Sequence, residues 1–182
     1  VGICQLVTHD ALDAATQGFK DALEEALPGQ VEFDEQNAAT DPNTCNTIVN
    51  AFVSDGVDLI LANATPALQA AVAATGDIPV LGTSVTEYGV ALNISDFNGT
   101  VGTNVSGTSD LAPLDQQAAM IQELFPDAQK VGLLYCSAEP NSEYQVNTVA
   151  SYLEEAGLET EKFAFTDSND ASAVTQSACD YA

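Results

Sequence analysis

Short apolar segments alternate with longer stretches of helical periodicity, and this rhythm constrains the fold more than any other feature. Val1–Val7 is a short apolar strand, and Asp10–Leu27 places Leu12, Ala15, Phe19, Leu23 and Leu27 at helical spacing before Pro28-Gly29 ends it. Val31–Phe33 reads as a second strand, and Asp41-Pro42 caps a helix to about Ser54. Val57–Leu61 is a third strand, Pro66–Thr75 a third helix and Pro79–Leu81 a fourth strand. Strands separated by helices of this length pair in parallel, so the expected class is α/β.

From Asn93 to Thr108 the chain is rich in Gly, Asn, Ser and Thr, which predicts a crossover rather than a core element. A second unit follows: a helix over Leu111–Leu124, a strand over Lys130–Tyr135, a helix over Asn141–Glu155 and a strand over Leu158–Phe165. Asp170 is then expected to open a further helix. Val1-Gly2-Ile3-Cys4 and Val131-Gly132-Leu133-Leu134 mark a faint repeat, each followed by helix, strand and an Asp-capped helix. The expected organisation is a first α/β lobe with its crossover over 1–108 and a partial second lobe over 109–182. Val1 starts directly in a strand, and Ser172–Ala182 ends without cap or glycine, which together predict a trimmed start and a truncated second lobe.

The charge balance excludes several function classes. Twenty-seven acidic residues stand against three lysines and no arginine, a net charge of −24 in 182 residues. Phosphate backbones would be repelled, so no nucleic-acid partner is expected, and no basic patch is available for anionic lipid. No apolar stretch approaches the ~20 residues of a membrane span. The single histidine, His9, and four cysteines without CxxC spacing predict no metal site, and no cofactor is implied.

Open parallel sheets bind ligands beyond the carboxyl ends of their strands. Those ends carry Gln5, His9 and Asp13 after the first strand, Asn63, Ala64 and Thr65 after the third, and Thr83 and Ser84 after the fourth. In the second unit the equivalent loop holds Ser137, Glu139, Asn141 and Ser142. Hydroxyls, amides and helix starts suit the carboxylate of an amino acid, and acidic or amide groups suit its ammonium; without arginine, helix N-termini must serve the anion. The same residue types also serve as caps and turns. In a 2-1-3 strand order the helix after strand two crosses strand one, so Cys4 and Cys45 are disulfide candidates, with Cys136 and Cys179 a looser second pair. Thr44-Cys45-Asn46-Thr47 resembles the Ala-Cys-Asn-Thr box of glutamate and aspartate racemases, but it follows Asp41-Pro42 into a helix where such a cysteine should end a strand.

Several segments together resemble the substrate-binding lipoproteins of ABC importers, in the branch linked to tryptophan and tyrosine uptake. They are Gly2-Ile3-Cys4-Gln5 with His9 and Leu12-Asp13-Ala14, Ala62-Asn63-Ala64-Thr65-Pro66-Ala67, Gly82-Thr83-Ser84, Gly107-Thr108-Ser109-Asp110 and Tyr135-Cys136-Ser137-Ala138-Glu139-Pro140-Asn141-Ser142. The resemblance implies a periplasmic-binding-protein-like type I fold, two Rossmann-like lobes closing on a small ligand, often an aromatic amino acid. It implies an extracytoplasmic location, an ABC permease as partner, and a lipid anchor on a cysteine upstream of Val1. It assigns Asn63, Ala64, Thr65, Thr83 and Ser84 to the amino-acid end of the ligand, Ser109 and Asp110 to the crossing between lobes, and Ser137, Glu139, Asn141 and Ser142 to the second lobe. The expected function is solute binding without chemistry. The alternatives are an enzyme on a similar fold, such as a racemase, and the ligand-sensing domain of a regulator.

Overall fold

The computed structural model describes residues 1–182, the side chain of Ser168 excepted. It divides into two compact units, Val1–Asp110 and Leu111–Ala182.

The first unit is a five-stranded sheet in the order β2-β1-β3-β4-β5, built from Asp34–Asn37, Gly2–Gln5, Ile60–Asn63, Val80–Val85 and Val105–Ser109. Every pairing is parallel, so all carboxyl ends lie along one edge. Helices α1 (Asp10–Ala26), α2 (Pro42–Asp55) and α3 (Thr65–Ala74) form the crossovers, and a single turn, α4 (Tyr88–Ala91), follows β4. Side chains alternate across a strand, so β1 shows which helix covers which face. A Cβ on Gly2 would lie 2.6 Å from the Phe52 ring of α2. Gln5, of opposite parity, bonds Asp13 and Thr16 of α1. The core, including Cys4, Cys45, Val49, Phe52, Ile60, Leu68, Val80 and Val85, concentrates where α2 and α3 cover the sheet. On α1 only Thr16 is buried.

Two sequence expectations are corrected here. The second strand is Asp34–Asn37, not Val31–Phe33, and all four of its residues are exposed. An edge strand bonded only to β1 is held through its backbone and needs no apolar run; Lys20 Nζ adds an ion pair to Glu35 at 2.9 Å. The Gly- and Thr-rich Val105–Ser109 is not a linker but the fifth strand. A Cβ on Gly107 would stand 2.2 Å from the Gly82 carbonyl oxygen and from the Tyr88 hydroxyl, so its low hydropathy reflects a packing restriction.

In the second unit β6 (Lys130–Cys136) pairs in parallel with β7 (Glu159–Phe165), flanked by α5 (Leu114–Leu124), α6 (Pro140–Glu155) and α7 (Ser168–Tyr181). Its β6-α6-β7-α7 order repeats β1-α1-β2-α2, as the paired Val-Gly motifs anticipate. The glycines correspond as well: a Cβ on Gly132 would meet Ala178 of α7 at 3.2 Å. Asp167, not Asp170, is the N-cap of α7; Asp170 completes the capping box from its third position. The second core is small, with Ala118, Leu153 and Leu158 at its centre.

Candidate functional site

The strand ends of the first unit converge on the start of α3. β3 closes with Asn63, and Ala64 then takes φ +91°, ψ 158°, a region natural to glycine and costing other residues about 1–3 kcal/mol. That twist lets the Ala64 N–H donate to the Thr83 carbonyl at 3.0 Å, joining the ends of β3 and β4. It also starts α3 abruptly. Pro66 has no N–H and Leu68 N already donates to the Ala64 carbonyl, so Thr65 and Ala67 supply the first-turn donors with no carbonyl a turn before them in the helix. On β4, Ser84 sits at φ +55°, within a register break between Gly82 and Val85. Two left-handed non-glycine residues at adjacent strand ends mark a backbone shaped for something other than local comfort.

The break in β4 is held from behind by Tyr88. Its ring is buried and its hydroxyl donates to the Thr108 carbonyl at 3.2 Å. It fits because Gly82 and Gly107 leave room; a Cβ on Gly82 would lie 2.4 Å from that hydroxyl. Burial, with the nearby Asp110 carboxylate, pushes the Tyr88 phenol up to about 12. Ser109 Oγ donates to the Thr86 carbonyl at 2.7 Å and the Asp110 N–H to the Val85 carbonyl at 3.2 Å. Both residues therefore fix the chain where it leaves β5.

Two of the sequence-predicted residues, Gln5 and Asn63, face inward, and the exposed Asp13 joins them through Gln5. Asn63 is fully buried, and its Nδ2 donates to the Leu12 carbonyl at 2.8 Å and Thr16 Oγ1 at 2.9 Å, with Gln5 Oε1 at 3.4 Å. Thr16 Oγ1 donates to Gln5 Oε1 at 2.7 Å, and Gln5 Nε2 donates to the Val7 carbonyl at 2.9 Å and to Asp13 Oδ1 at 2.5 Å. Gln5, Asp13, Asn63 and Thr16 thus form one network fastening the start of α1 to the ends of β1 and β3. The Asn63 Oδ1 atom is buried within it without a hydrogen-bond partner. Thr16 was legible in principle: it lies on the Leu12–Phe19 face of the helix, where a polar residue needs a buried partner. His9 caps α1, its Nδ1 accepting from the Ala11 N–H at 3.2 Å, and it is exposed.

Thr83 also borders a groove of about 400 Å³ on the α1 side of the sheet, between Ala15 and Phe19 of α1 and Gly82, Gly107 and Thr108 of β4 and β5. Ala64 and Thr65 are recessed, at 9% and 5% exposure, whereas Thr83 and Ser84 are half-buried.

In the second unit the predicted residues gather at the end of β6 and the start of α6. Ser137 bonds the Phe165 carbonyl through its backbone N–H at 2.9 Å and its hydroxyl at 3.3 Å. Glu139 is the N-cap residue of α6, and burial raises its carboxyl above the ordinary range. Asn141 Oδ1 is buried without a partner. Ser142 lines a groove of about 520 Å³ together with Tyr135, Cys136, Val146 and residues of α5.

All four cysteines are thiols in the structure. Cys136 Sγ donates to the Thr166 carbonyl at 3.7 Å and Cys179 is exposed. Cys45 lies in the first turns of α2, buried against Cys4, and so does not occupy the strand-end position a racemase nucleophile needs. Among the described residues no group of three or more His, Cys, Asp or Glu is placed to hold a metal ion, and no helix is long and apolar enough to cross a membrane.

Comparison with known proteins places this geometry. The sequence profile of the family described as ABC transporter substrate binding protein matches residues 1–181. A tyrosine-binding protein of Clostridioides difficile is 40% identical over 165 residues, covering 87% of this chain and 47% of that protein. A Streptococcus pneumonia ABC domain crystallised with L-Trp superposes with a TM-score of 0.85 at 36% identity, covering 97% of this chain and 60% of that one. A ligand-free, open substrate-binding protein with adhesive properties from Clostridium difficile gives 0.72 at 38% identity, with 97% and 60% covered. The chain therefore spans about half the length of the curated relative and 60% of each of these two structures.

Proposed function

The chain belongs to the ABC transporter substrate-binding protein family, and from that premise we propose that it is the extracytoplasmic solute-binding component of an importer whose cargo is an amino acid with an aromatic side chain. The observation that carries the ligand class is the junction of β3 and β4 at Ala64, where strained backbone presents the start of α3 beside Thr83 and Ser84. A helix start carries partial positive charge, which suits a carboxylate in a chain of net charge −24 that has no arginine. Relatives that bind tyrosine or carry L-Trp support the aromatic side chain.

Ala64, Thr65, Thr83 and Ser84 are the proposed contacts to the amino-acid end. Ser137, Glu139, Asn141 and Ser142 are proposed as contacts from the second unit. Gln5, Asp13 and Asn63 are assigned instead to positioning, because they hydrogen-bond one another and α1. His9, Ser109 and Asp110 are assigned to shaping the loops they cap or close. No bond is made or broken in this function. Recognition by a permease, and a lipid anchor upstream of Val1, are proposed on family grounds.

The test uses the absence of tryptophan from this sequence: the emission of free L-tryptophan can be followed directly as protein is added. A saturable shift, competed by L-tyrosine and not by an aliphatic amino acid, is the expected result. No saturable response to any amino acid at millimolar concentration would refute the ligand class.

A further inference from the structure

Cys4 and Cys45 lie far apart in sequence and are brought together by the fold. Along β1, residues of one parity face α2: Gly2 abuts the Phe52 ring, and Cys4 is the next residue on that face. Along α2, Cys45 stands seven positions before Phe52, two turns away on the same side of the helix. The strand face and the helix face therefore meet at two points, Gly2 with Phe52 and Cys4 with Cys45. Both cysteines are 0% exposed and belong to one apolar cluster with Val49, Phe52 and Ala62. Cys45 and burial push the Cys4 thiol up, and Cys4 in turn draws the Cys45 thiol down.

We propose that Cys4 and Cys45 form a disulfide when the protein folds in an oxidising thiol–disulfide environment, tying β1 to α2 across the core. In the thiol form both cysteines are fully buried, so no disulfide reagent reaches them in the folded core. The bond therefore forms before the core closes. A thiolate of one cysteine attacks a low-molecular-weight disulfide, giving a mixed disulfide and one free thiol. The second cysteine then displaces the other half as a second thiol. One disulfide reagent is reduced to two thiols, and the protein loses two hydrogens. Once folded, the same burial shields the bond from reductants. Neither Cys136, bonded to the Thr166 carbonyl, nor the exposed Cys179 has this environment. The inference concerns folding and does not depend on which ligand is bound.

The experiment refolds the reduced, urea-unfolded full chain in a mixture of oxidised and reduced glutathione. Free thiols are then blocked in denaturant, and the protein is digested at acidic residues without reduction, since three lysines give tryptic digestion little to cut. The expected product is a peptide pair containing Cys4 and Cys45, about 2 Da lighter than its reduced parts, with Cys136 and Cys179 both blocked. A C136S/C179S variant, which leaves the first core untouched, should refold with no titratable thiol; the same variant folded in reductant should show two after denaturation. Blocked Cys4 and Cys45 in protein with native circular dichroism would overturn the proposal. So would their pairing with glutathione, with Cys136 or with Cys179.

Discussion

Replacing Asn63 by alanine tests whether the buried network, rather than apolar contact, holds α1 on the sheet. The helix buries only Thr16, so little apolar area would resist its release. The substitution deletes two well-formed hydrogen bonds, to Leu12 O at 2.8 Å and Thr16 Oγ1 at 2.9 Å. Each is worth about 1 kcal/mol net, and the Leu12 carbonyl keeps its bond from the Thr16 N–H within α1. The expected loss is about 2 kcal/mol, a factor of roughly 30 in the folding equilibrium. Urea titration followed by circular dichroism reads the total, and hydrogen exchange of peptides from 8–16 reads α1 separately from the second unit. Asn63→Asp adds a sign. A buried carboxylate without a cation has its folded-state pKa raised above about 3.9, so its stability is greatest below that value and is lost as pH rises through the folded pKa. The variant should thus be worse at pH 7 than at pH 4, relative to the parent at each pH. A loss below about 1 kcal/mol for Asn63→Ala, with exchange over 8–16 unchanged, would refute the reasoning.

Gly82→Ala should destabilise the first unit by about 2 kcal/mol or more, because its Cβ would fall 2.4 Å from a hydroxyl packed between β4 and β5; the urea midpoint reports it, and pairing with Tyr88→Phe should recover part of the loss by removing the clashing oxygen. The Tyr88 phenol, raised to about 12 in the fold against 10 outside it, contributes stability that is complete below pH 10 and is lost as pH rises through 12. Stability should therefore fall between those values, and fall less in Tyr88→Phe, which costs about 1 kcal/mol at pH 7 for the bond to the Thr108 carbonyl. An equal alkaline loss in both proteins would contradict the burial of this hydroxyl.

The alternation of strand and helix is legible in the sequence because it follows from periodicity, and Asp41-Pro42 and Thr65-Pro66 announce helix starts that the structure keeps. β2 and β5 are not legible for opposite reasons. Asp34–Asn37 is an edge held by backbone bonds, with no apolar alternation to see. Val105–Ser109 is pared to small residues by Tyr88 and by the β4 backbone. The location of the candidate site follows from strand ends, but the orientation of its side chains does not. Asn63 and Gln5 look like ligand groups in sequence, and only the position of Thr16 on α1 turns them inward. The strain at Ala64 has no sequence signal at all, since alanine is not the residue that such a φ predicts.

The central claim is that the start of α3, beside Thr83 and Ser84, holds the carboxylate of an amino acid. Calorimetric titration of the natural full-length polypeptide with L-tyrosine and L-tryptophan, each against its carboxamide, tests it directly. The amides keep the ring and the ammonium but lose the negative charge. The account predicts saturable binding of the acids and at least tenfold weaker binding of the amides, about 1.4 kcal/mol or more, with Thr65→Val and Ser84→Ala weakening the acids alone. Equal affinity for acid and amide would contradict it.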